Sequence, residues 1–374
     1  MTTQIMLVSA QAAPNLLPAL DPALKPRQAV LVVTQKMQAR ADALQKVLQE
    51  AGVKVSRVPL ADERNFSLLE SALMDVAAAQ DDGDIALNLT GGTKLMALAA
   101  QSVASAAGWR TFYVDVDTDE VIWIGHQAPA PQPLGQQLRL SHYLRSYGYT
   151  PEGGVDRPAP SARHNALLAT LILQIGSLEQ PLGQLNFLAQ QAQDRRSLSV
   201  RRPDQQAAPG LDALLQHFQQ AGCLKVMADT IQFASEAELD FVKGGWLEHH
   251  VFRTVSALHA DLGVRDHAAN LGVIDSSGVR NEMDVAFMAR NRLWVIECKT
   301  ARMDSPQQPK ANDTLFKLAE VCRRVGGIGT HGLLVSYRAV RPAEKRLAQA
   351  LNIELVCGPE LTRLREKLIA WVKG

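Results

Sequence analysis

Short runs rich in valine and isoleucine alternate with longer amphipathic stretches through the first 125 residues, and that alternation constrains the chain more than any other feature of it. The apolar runs are Ile5–Val8, Ala29–Val33, Val53–Val58, Ile85–Leu89 and Thr111–Val116. Between them lie segments with helical spacing, such as Leu44, Val47 and Leu48 ahead of Gly52, a residue suited to the left-handed position that closes a helix. A strand covered on both faces reads as a continuous apolar run, and its parallel neighbour is reached only through a crossover. The pattern therefore predicts βαβ units with right-handed connections and a mainly parallel sheet covered by helices on both faces, a Rossmann-like α/β domain.

The 374 residues exceed one such unit, since a domain takes ~150. Gln127–Pro133 carries three prolines, and Pro151–Pro160 three prolines and two glycines; both read as connections between domains. Arg163–Gln174 and Leu211–Gln220 look helical, and the second ends at Gly222 before the short β-like pieces Leu224–Met227 and Thr230–Phe233. Helices followed by a small hairpin suggest a small α+β, winged-helix-like middle module. Arg195, Arg196, Arg201 and Arg202 cluster within it, as a solvated loop or an edge that contacts phosphate. From Gly244 onward, Leu247, Val251, Val255, Leu258 and Leu262 trace a helix that stops at Gly263. A strand pair follows at Met283–Met288 and Leu293–Lys299, then further α/β elements including Gly332–Tyr337 and the helix-like Leu361–Val372. The expected division is 1–150, 151–240 and 241–374.

With 39 basic and 38 acidic residues the net charge is +1, so a uniformly basic nucleic-acid coat and an acidic tail are both excluded, and any nucleic-acid contact must be local. Cys223, Cys298, Cys322 and Cys357 form no C-x-x-C pair, which argues against a zinc knuckle, a disulfide framework or a redox motif and fits a reducing compartment. The chain opens into Ile5-Met6-Leu7-Val8 without a basic leader, and no run approaches the ~18 apolar residues of a membrane span. A soluble cytoplasmic protein with no membrane contact is expected.

The most chemically loaded stretch is Asn281-Glu282-Met283-Asp284-Val285 followed by Glu297-Cys298-Lys299. Alternate side chains of a strand share a face, so Glu297 and Lys299 project together while Ile296 and Cys298 point away. A turn at Arg290-Asn291-Arg292 would fold a hairpin that brings Asp284 beside Glu297. Two carboxylates and one amine then converge, as hydrolysis of a phosphodiester requires. Asp284, Glu297 and the Cys298 carbonyl offer oxygen ligands to a hard divalent cation, Mn or Mg. Lys299 can hold or help deprotonate water and neutralise developing charge. Glu248, in Gly244-Gly245-Trp246-Leu247-Glu248, is the best further carboxylate, and Glu282, on the face of Asp284, is the second choice as ligand. The same residues would also suit an exposed cross-strand salt bridge; charges ending the apolar Val-Ile-Glu-Cys-Lys strand argue for partners. His249 and His250 read as solvated or structural, because no third His or Cys has metal-site spacing.

A second motif lies at Ile85–Leu89, a strand that runs into Thr90-Gly91-Gly92-Thr93-Lys94 ahead of the helical Leu95–Ala107. Glycines at a strand-to-helix turn let backbone approach a ligand, and the helix N-terminus offers free N–H groups to phosphate; the turn could also be purely structural. It is not a Walker A loop, since Thr precedes Lys and the upstream glycine is missing, and the first connection, Ser9 to Asn15, lacks the G-x-G-x-x-G of dinucleotide sites.

Asp284…Glu297-Cys298-Lys299 with Glu248 upstream resembles the PD-(D/E)xK motif of restriction-endonuclease-like nucleases, with Met283 in place of the leading proline. Asn88-Leu89-Thr90-Gly91-Gly92-Thr93-Lys94-Leu95-Met96, together with Gln11…Pro14-Asn15, resembles the signature of CARF domains, the Rossmann-like sensors of type III CRISPR systems. The whole chain thus resembles the single-CARF, cyclic-oligoadenylate-activated nucleases of those systems. The resemblance implies a CARF domain, a connecting module and a nuclease domain in that order, and a homodimer whose paired CARF domains bind cyclic tetra-adenylate across the two-fold axis. Binding would reposition nuclease domains that cut DNA, RNA or both with Mn or Mg. On that reading Thr90, Gly91, Gly92 and Thr93 give backbone and hydroxyl donors to the activator and Lys94 adds charge. Gln11 and Asn15 read base edges or ribose, and Met96 closes the motif. Two other functions compete: a ligand-sensing DNA-binding regulator without nuclease activity, and an ungated repair or restriction nuclease.

Overall fold

The computed structural model describes residues 2–79, 84–135, 138–153, 161–203, 207–264, 266–300 and 310–374. The N-terminal sheet has seven strands: β1 (Thr3–Leu7), β2 (Gln28–Thr34), β3 (Lys54–Leu60), β4 (Ile85–Asn88), β5 (Arg110–Asp115), β6 (Glu120–Ile124) and β7 (Gln132–Pro133). Their order is β3-β2-β1-β4-β5-β6-β7, with the first five parallel and the last two antiparallel. Helices α1 (Ala13–Leu20), α2 (Gln38–Glu50), α3 (Phe66–Ala79) and α4 (Lys94–Ala106) cover it. Alternation along β1 sorts the two faces: Met6 and Val8 enter a core with Leu16 and Leu44, whereas Ile5 and Leu7 enter one with Leu73 and Val103. Strand order reverses between β1 and β4, so their C-terminal ends flank the crevice where open α/β sheets take ligands.

The proline-rich stretches are not simple connections. Gln132–Pro133 adds β7 to the sheet edge through Glu120 and Val121 of β6. Residues 150–153 form β8 (Thr150–Gly153), an edge strand of the C-terminal sheet. Proline is tolerated in both because an edge strand leaves one side of its ladder unpaired. The rest of the second stretch, residues 154–160, lies outside the described residues. Between β7 and β8, α5 (Leu140–Ser146) places Tyr143 and Leu144 in one apolar cluster with Leu16 of the first sheet's helices and with Leu271, Leu293 and Leu318 of the C-terminal unit.

The middle module contains α6 (Ala162–Leu173), α7 (Glu179–Asp194) and α8 (Leu211–Gln220) with an antiparallel sheet β10-β11-β9, formed by β9 (Ser199–Arg201), β10 (Leu224–Val226) and β11 (Thr230–Phe233). The expected hairpin is present; β9 joins it, and α7 is an additional helix. Its core runs without a break into the C-terminal unit, since Leu168, Leu185 and Phe218 share a cluster with Trp246, Phe287 and Leu368.

The C-terminal unit begins with α9 (Glu236–Asp240), a wide turn at Phe241–Gly245, α10 (Trp246–Ser256) and α11 (His259–Leu262). The single helix expected from Leu247 to Leu262 is therefore broken after Ser256, and Gly263 (φ 64°) closes its second piece. Strands β12 (Asp266–Ile274), β13 (Arg280–Ala289), β14 (Arg292–Lys299), β15 (Thr330–Ser336) and β16 (Ile353–Cys357) join β8 in the order β16-β15-β14-β13-β12-β8. Helices α12 (Lys310–Gly326), α13 (Pro342–Ala350) and α14 (Leu364–Lys373) complete it. No helix among the described residues is long and apolar enough to cross a membrane.

Candidate functional site

Two sites emerge, one at the end of β14 and one at the crevice of the N-terminal sheet. The first is built by the hairpin anticipated at Arg290-Asn291-Arg292. Arg290 (φ 51°) and Asn291 (φ 53°) both adopt the left-handed conformation of a two-residue turn that matches strand twist. The ladder runs from Ala289↔Arg292 to Val285↔Ile296. On its other edge β14 pairs with β15 from Leu293 to Lys299, and beyond the β13 ladder the Cys298 amide donates to Asp284 Oδ2 at 2.7 Å. A carboxylate thus takes the hydrogen bond that a ladder carbonyl would otherwise accept. Glu297 Oε1 lies 2.5 Å from Lys299 Nζ, and both side chains are partly exposed while Ile296 and Cys298 are buried behind them.

Electrostatics bring in the third carboxylate. Burial, then the charges of Glu297 and Glu248, push Asp284 up to about 7, against the amide of Cys298 and the ammonium of Lys299. Burial opposes the charge on Lys299, yet Glu297 and Asp284 outweigh it and hold the amine above its ordinary range. Glu248 comes from the first turn of α10, whose start is fixed by close packing: a Cβ on Gly244 would fall 2.4 Å from Thr300 Oγ1. Glycine there lets the turn before α10 sit against the end of β14, so that Glu248 lines the same cleft as Lys299 and its charge acts on Asp284. Glu282 is exposed, and its charge acts on Arg280. His249 lines the cleft edge-on to Phe241, and burial lowers His250 to about 4, which makes it a neutral structural residue.

The cleft lined by Glu248, His249, Cys298 and Lys299 holds about 1390 Å³ and opens to solvent. That exceeds the ~300–1,000 Å³ of small-molecule pockets and suits a segment of polymer. Residues not singled out from the sequence line it as well. Asn270 has φ 50° and occupies β12 between the pairs Ala269↔Val285 and Leu271↔Met283, beside Asp284. An asparagine in the middle of a strand was the available signal, since it tolerates that conformation. Lys243, Arg338 and Phe187 complete the rim; a Cβ on Gly183 of α7 would strike Arg338 Nη2, so a glycine in that helix leaves room for the guanidinium. Of the arginine cluster, Arg195, Arg196 and Arg201 are exposed, and Arg202 is paired with Asp212 at 2.7 Å.

At the N-terminal crevice the turn after β4 packs closely on β1. A Cβ on Gly91 would lie 2.0 Å from the Leu7 carbonyl oxygen, so only glycine permits the approach. Thr93 caps α4, its Oγ1 accepting the Met96 amide at 3.2 Å, and Thr93 and Lys94 are exposed toward solvent. Their expected role as activator contacts is open to them. Four other residues expected there are engaged within the protein. Asn15 is 1 % exposed, with Nδ2 donating to Leu7 O at 2.9 Å and Oδ1 accepting from Asn88 at 3.1 Å, so it holds the loop instead of facing a ligand. Thr90 Oγ1 is taken by the Val114 amide at 2.7 Å, and Met96 is 1 % exposed in the core. Gln11 turns toward α5: its Oε1 accepts the Tyr147 hydroxyl at 2.9 Å, and a Cβ on Gly327 would meet its Nε2 at 2.4 Å. Tyr147 stacks on Tyr143 at 5.0 Å, and the Tyr143 hydroxyl donates to Gly326 O at 3.2 Å, beside the start of β15. The loop after β1 therefore reaches the C-terminal unit through two tyrosines.

A ligand crevice with a phosphate-ready turn, joined to a carboxylate–lysine cleft at a sheet end, defines a sensor domain coupled to a nuclease domain. Family models agree: residues 3–143 match the Card1 CARF domain and residues 235–374 the Card1-like endonuclease domain. The chain joins a CARF domain of the Card1 type to a Card1-like endonuclease domain. The crystal structure of protein VC1899 from Vibrio cholerae is 25 % identical, with a TM-score of 0.91 over 100 % of this chain and 98 % of that one. Can2 from Sulfobacillus thermosulfidooxidans, solved with cyclic tetra-adenylate, is 24 % identical with a TM-score of 0.84 over 100 % of both chains. A type III CRISPR defence DNA nuclease activated by cyclic oligoadenylate is 23 % identical with a TM-score of 0.55, covering 94 % of this chain and 47 % of that one. No curated protein matches this chain.

Proposed function

We propose that this protein is an endonuclease switched on by a cyclic oligoadenylate, cyclic tetra-adenylate in particular, and that it serves type III CRISPR antiviral defence. One observation carries the catalytic half: Glu297 pairs with Lys299, and burial together with the charges of Glu297 and Glu248 raises Asp284 to about 7. Three carboxylates so close are costly without a cation, and oxygen donors suit a hard divalent ion. Asp284, Glu297 and the Cys298 carbonyl, with Glu248 behind, would hold Mn or Mg in the manner of PD-(D/E)xK enzymes. Such an ion, when bound, supplies a Lewis acid for the phosphoryl oxygen and lowers the pKa of water. Lys299 is the amine paired with Glu297; it orients the attacking water and balances charge in the transition state. Lys243 and Arg338 on the rim hold flanking phosphates of DNA or RNA.

On the sensor side, the Thr93 hydroxyl, the α4 N-terminus and Lys94 meet the activator, while Gly91 and Asn15 fix the turn that presents them. A cyclic ligand with repeated nucleotides suits two copies of this loop across a two-fold axis, hence a homodimer. Met74 and Leu98 are exposed on α3 and α4 and provide apolar surface for the second copy. The decisive experiment assays plasmid DNA and single-stranded RNA with and without cyclic tetra-adenylate in Mn and Mg. Cleavage should require both ligand and metal and disappear in Glu297→Ala and Lys299→Ala, with activator binding retained. Cleavage in excess EDTA, or by either variant, would overturn the mechanism.

A further inference from the structure

Away from both sites, one cluster brings together three kinds of metal donor. His164 lies on α6, Cys223 in the turn from α8 to β10, and Glu238 on α9, and their donor atoms all lie within 4.8 Å of one another. Cys223 is fully buried, and His164 Nε2 is 3.1 Å from Glu238 Oε2. On its other side the imidazole is held at Nδ1 by Ser161 Oγ, 2.8 Å away, and that oxygen also accepts the His164 amide at 3.2 Å. A histidine fixed through Nδ1 by a neighbouring oxygen and presenting Nε2 has the orientation of a metal ligand.

We propose that His164, Cys223 and Glu238 bind a zinc ion, with water as the fourth ligand. Tetrahedral zinc with Zn–N and Zn–O bonds of ~2.0–2.2 Å sets the nitrogen and oxygen ~3.3 Å apart. The observed separation is 3.1 Å. A thiolate at ~2.3 Å from zinc would stand ~3.6 Å from each, so a small side-chain movement of Cys223 completes the site. Binding releases the thiol proton to solvent and forms the Zn–S bond. One sulfur, one nitrogen and one oxygen make a borderline-soft donor set that favours zinc, whereas the all-oxygen nuclease cleft favours a hard cation. The two sites thus take different metals.

Location gives the ion its role. Phe241, the first residue after α9, stands edge-on to His164 at 4.7 Å and to His249 at 5.4 Å. The same turn carries Lys243 and Gly244 to the cleft and leads into Glu248. Zinc would clamp α9 to α6 and to the turn before β10, fixing the approach to α10; it positions catalytic groups without touching substrate.

The test uses full-length protein carrying Asp284→Asn, which weakens the cleft as a competing site. The protein is stripped with chelator, re-equilibrated with zinc and desalted, and metal is then counted by mass spectrometry. One zinc per chain is expected, falling toward zero in Cys223→Ser and, separately, in His164→Asn or Glu238→Gln, with folding checked by circular dichroism. Titration of the unsubstituted protein with Co²⁺ should give a thiolate-to-cobalt charge-transfer band that Cys322→Ser retains and Cys223→Ser loses. Absence of that band from the unsubstituted protein, or its persistence in Cys223→Ser, overturns the proposal.

Discussion

Metal-free protein should become less stable as pH rises from about 4 to about 7, because Asp284 must then ionise where it is buried and beside Glu297 and Glu248. A carboxyl whose folded pKa is raised binds a proton more tightly in the native state than in the unfolded one. Its contribution is complete below the unfolded value of 3.8 and is lost as pH passes the folded value of about 7. At ~1.4 kcal/mol per pKa unit the loss is on the order of 4 kcal/mol. His250 works in the opposite direction over much of the same window. Burial lowers it to about 4, so its contribution is present above its ordinary value of 6.5 and is lost as pH falls through about 4. The raw profile can therefore look flat, and the informative quantity is a difference. Urea unfolding in excess EDTA should be run across this range on the unsubstituted protein and on Asp284→Asn, whose amide oxygen can still accept the Cys298 N–H. The substituted protein should gain relative stability by about 4 kcal/mol between the acid and neutral ends, and Mn²⁺ should narrow the gap at neutral pH. Parallel profiles for the two proteins would refute the view that burial and the neighbouring carboxylates keep the proton on Asp284 in metal-free protein.

Other outcomes follow from the sensor side. Thr93→Ala with Lys94→Ala should raise the activator concentration for half-maximal cleavage by ~10–100-fold, since charge-assisted hydrogen bonds contribute ~1.5–3 kcal/mol; isothermal titration and a cleavage dose–response would both read it, and an unchanged midpoint would move the sensor elsewhere. Tyr147→Phe removes the hydroxyl that donates to Gln11 and accepts the Ala12 amide. It should cost ~1 kcal/mol of stability and change the ratio of activated to basal cleavage more than it changes activator affinity. Equal effects on both would assign this contact to folding alone.

Much of this architecture is written locally in the chain. Ile5–Val8 and Ala29–Val33 read as buried strands because residues covered on both faces must all be apolar, and the hairpin of Asp284 and Glu297 followed from a two-residue turn and strand alternation. Glu248 could be named because it adjoins the buried Leu247 at the edge of an apolar stripe. What stayed hidden depends on contacts between distant segments. Asn15 looked like a polar loop residue, yet its amide is consumed by Leu7 and Asn88, a fact no local pattern carries. Helix α7 contains Pro181 and Gly183, which weaken its propensity, and tertiary packing of Leu182, Leu185 and Leu188 overrides them. The cluster of His164, Cys223 and Glu238 has no motif spacing because its members come from three separate elements.

Helix α5 bears on how such a protein is switched. Tyr143 and Leu144 are 1 % and 0 % exposed, wedged where helices of the first sheet meet strands of the last. A hinge there would open this apolar seam to water, and with the Tyr143 hydroxyl tied to Gly326 the cost would rise further. Within one chain, sensor and nuclease are then better described as one lever than as two bodies on a tether. In the homodimer proposed above, the movement that awakens the cleft would be a change in how two levers cross, and the ligand's adhesive energy would go into that crossing angle.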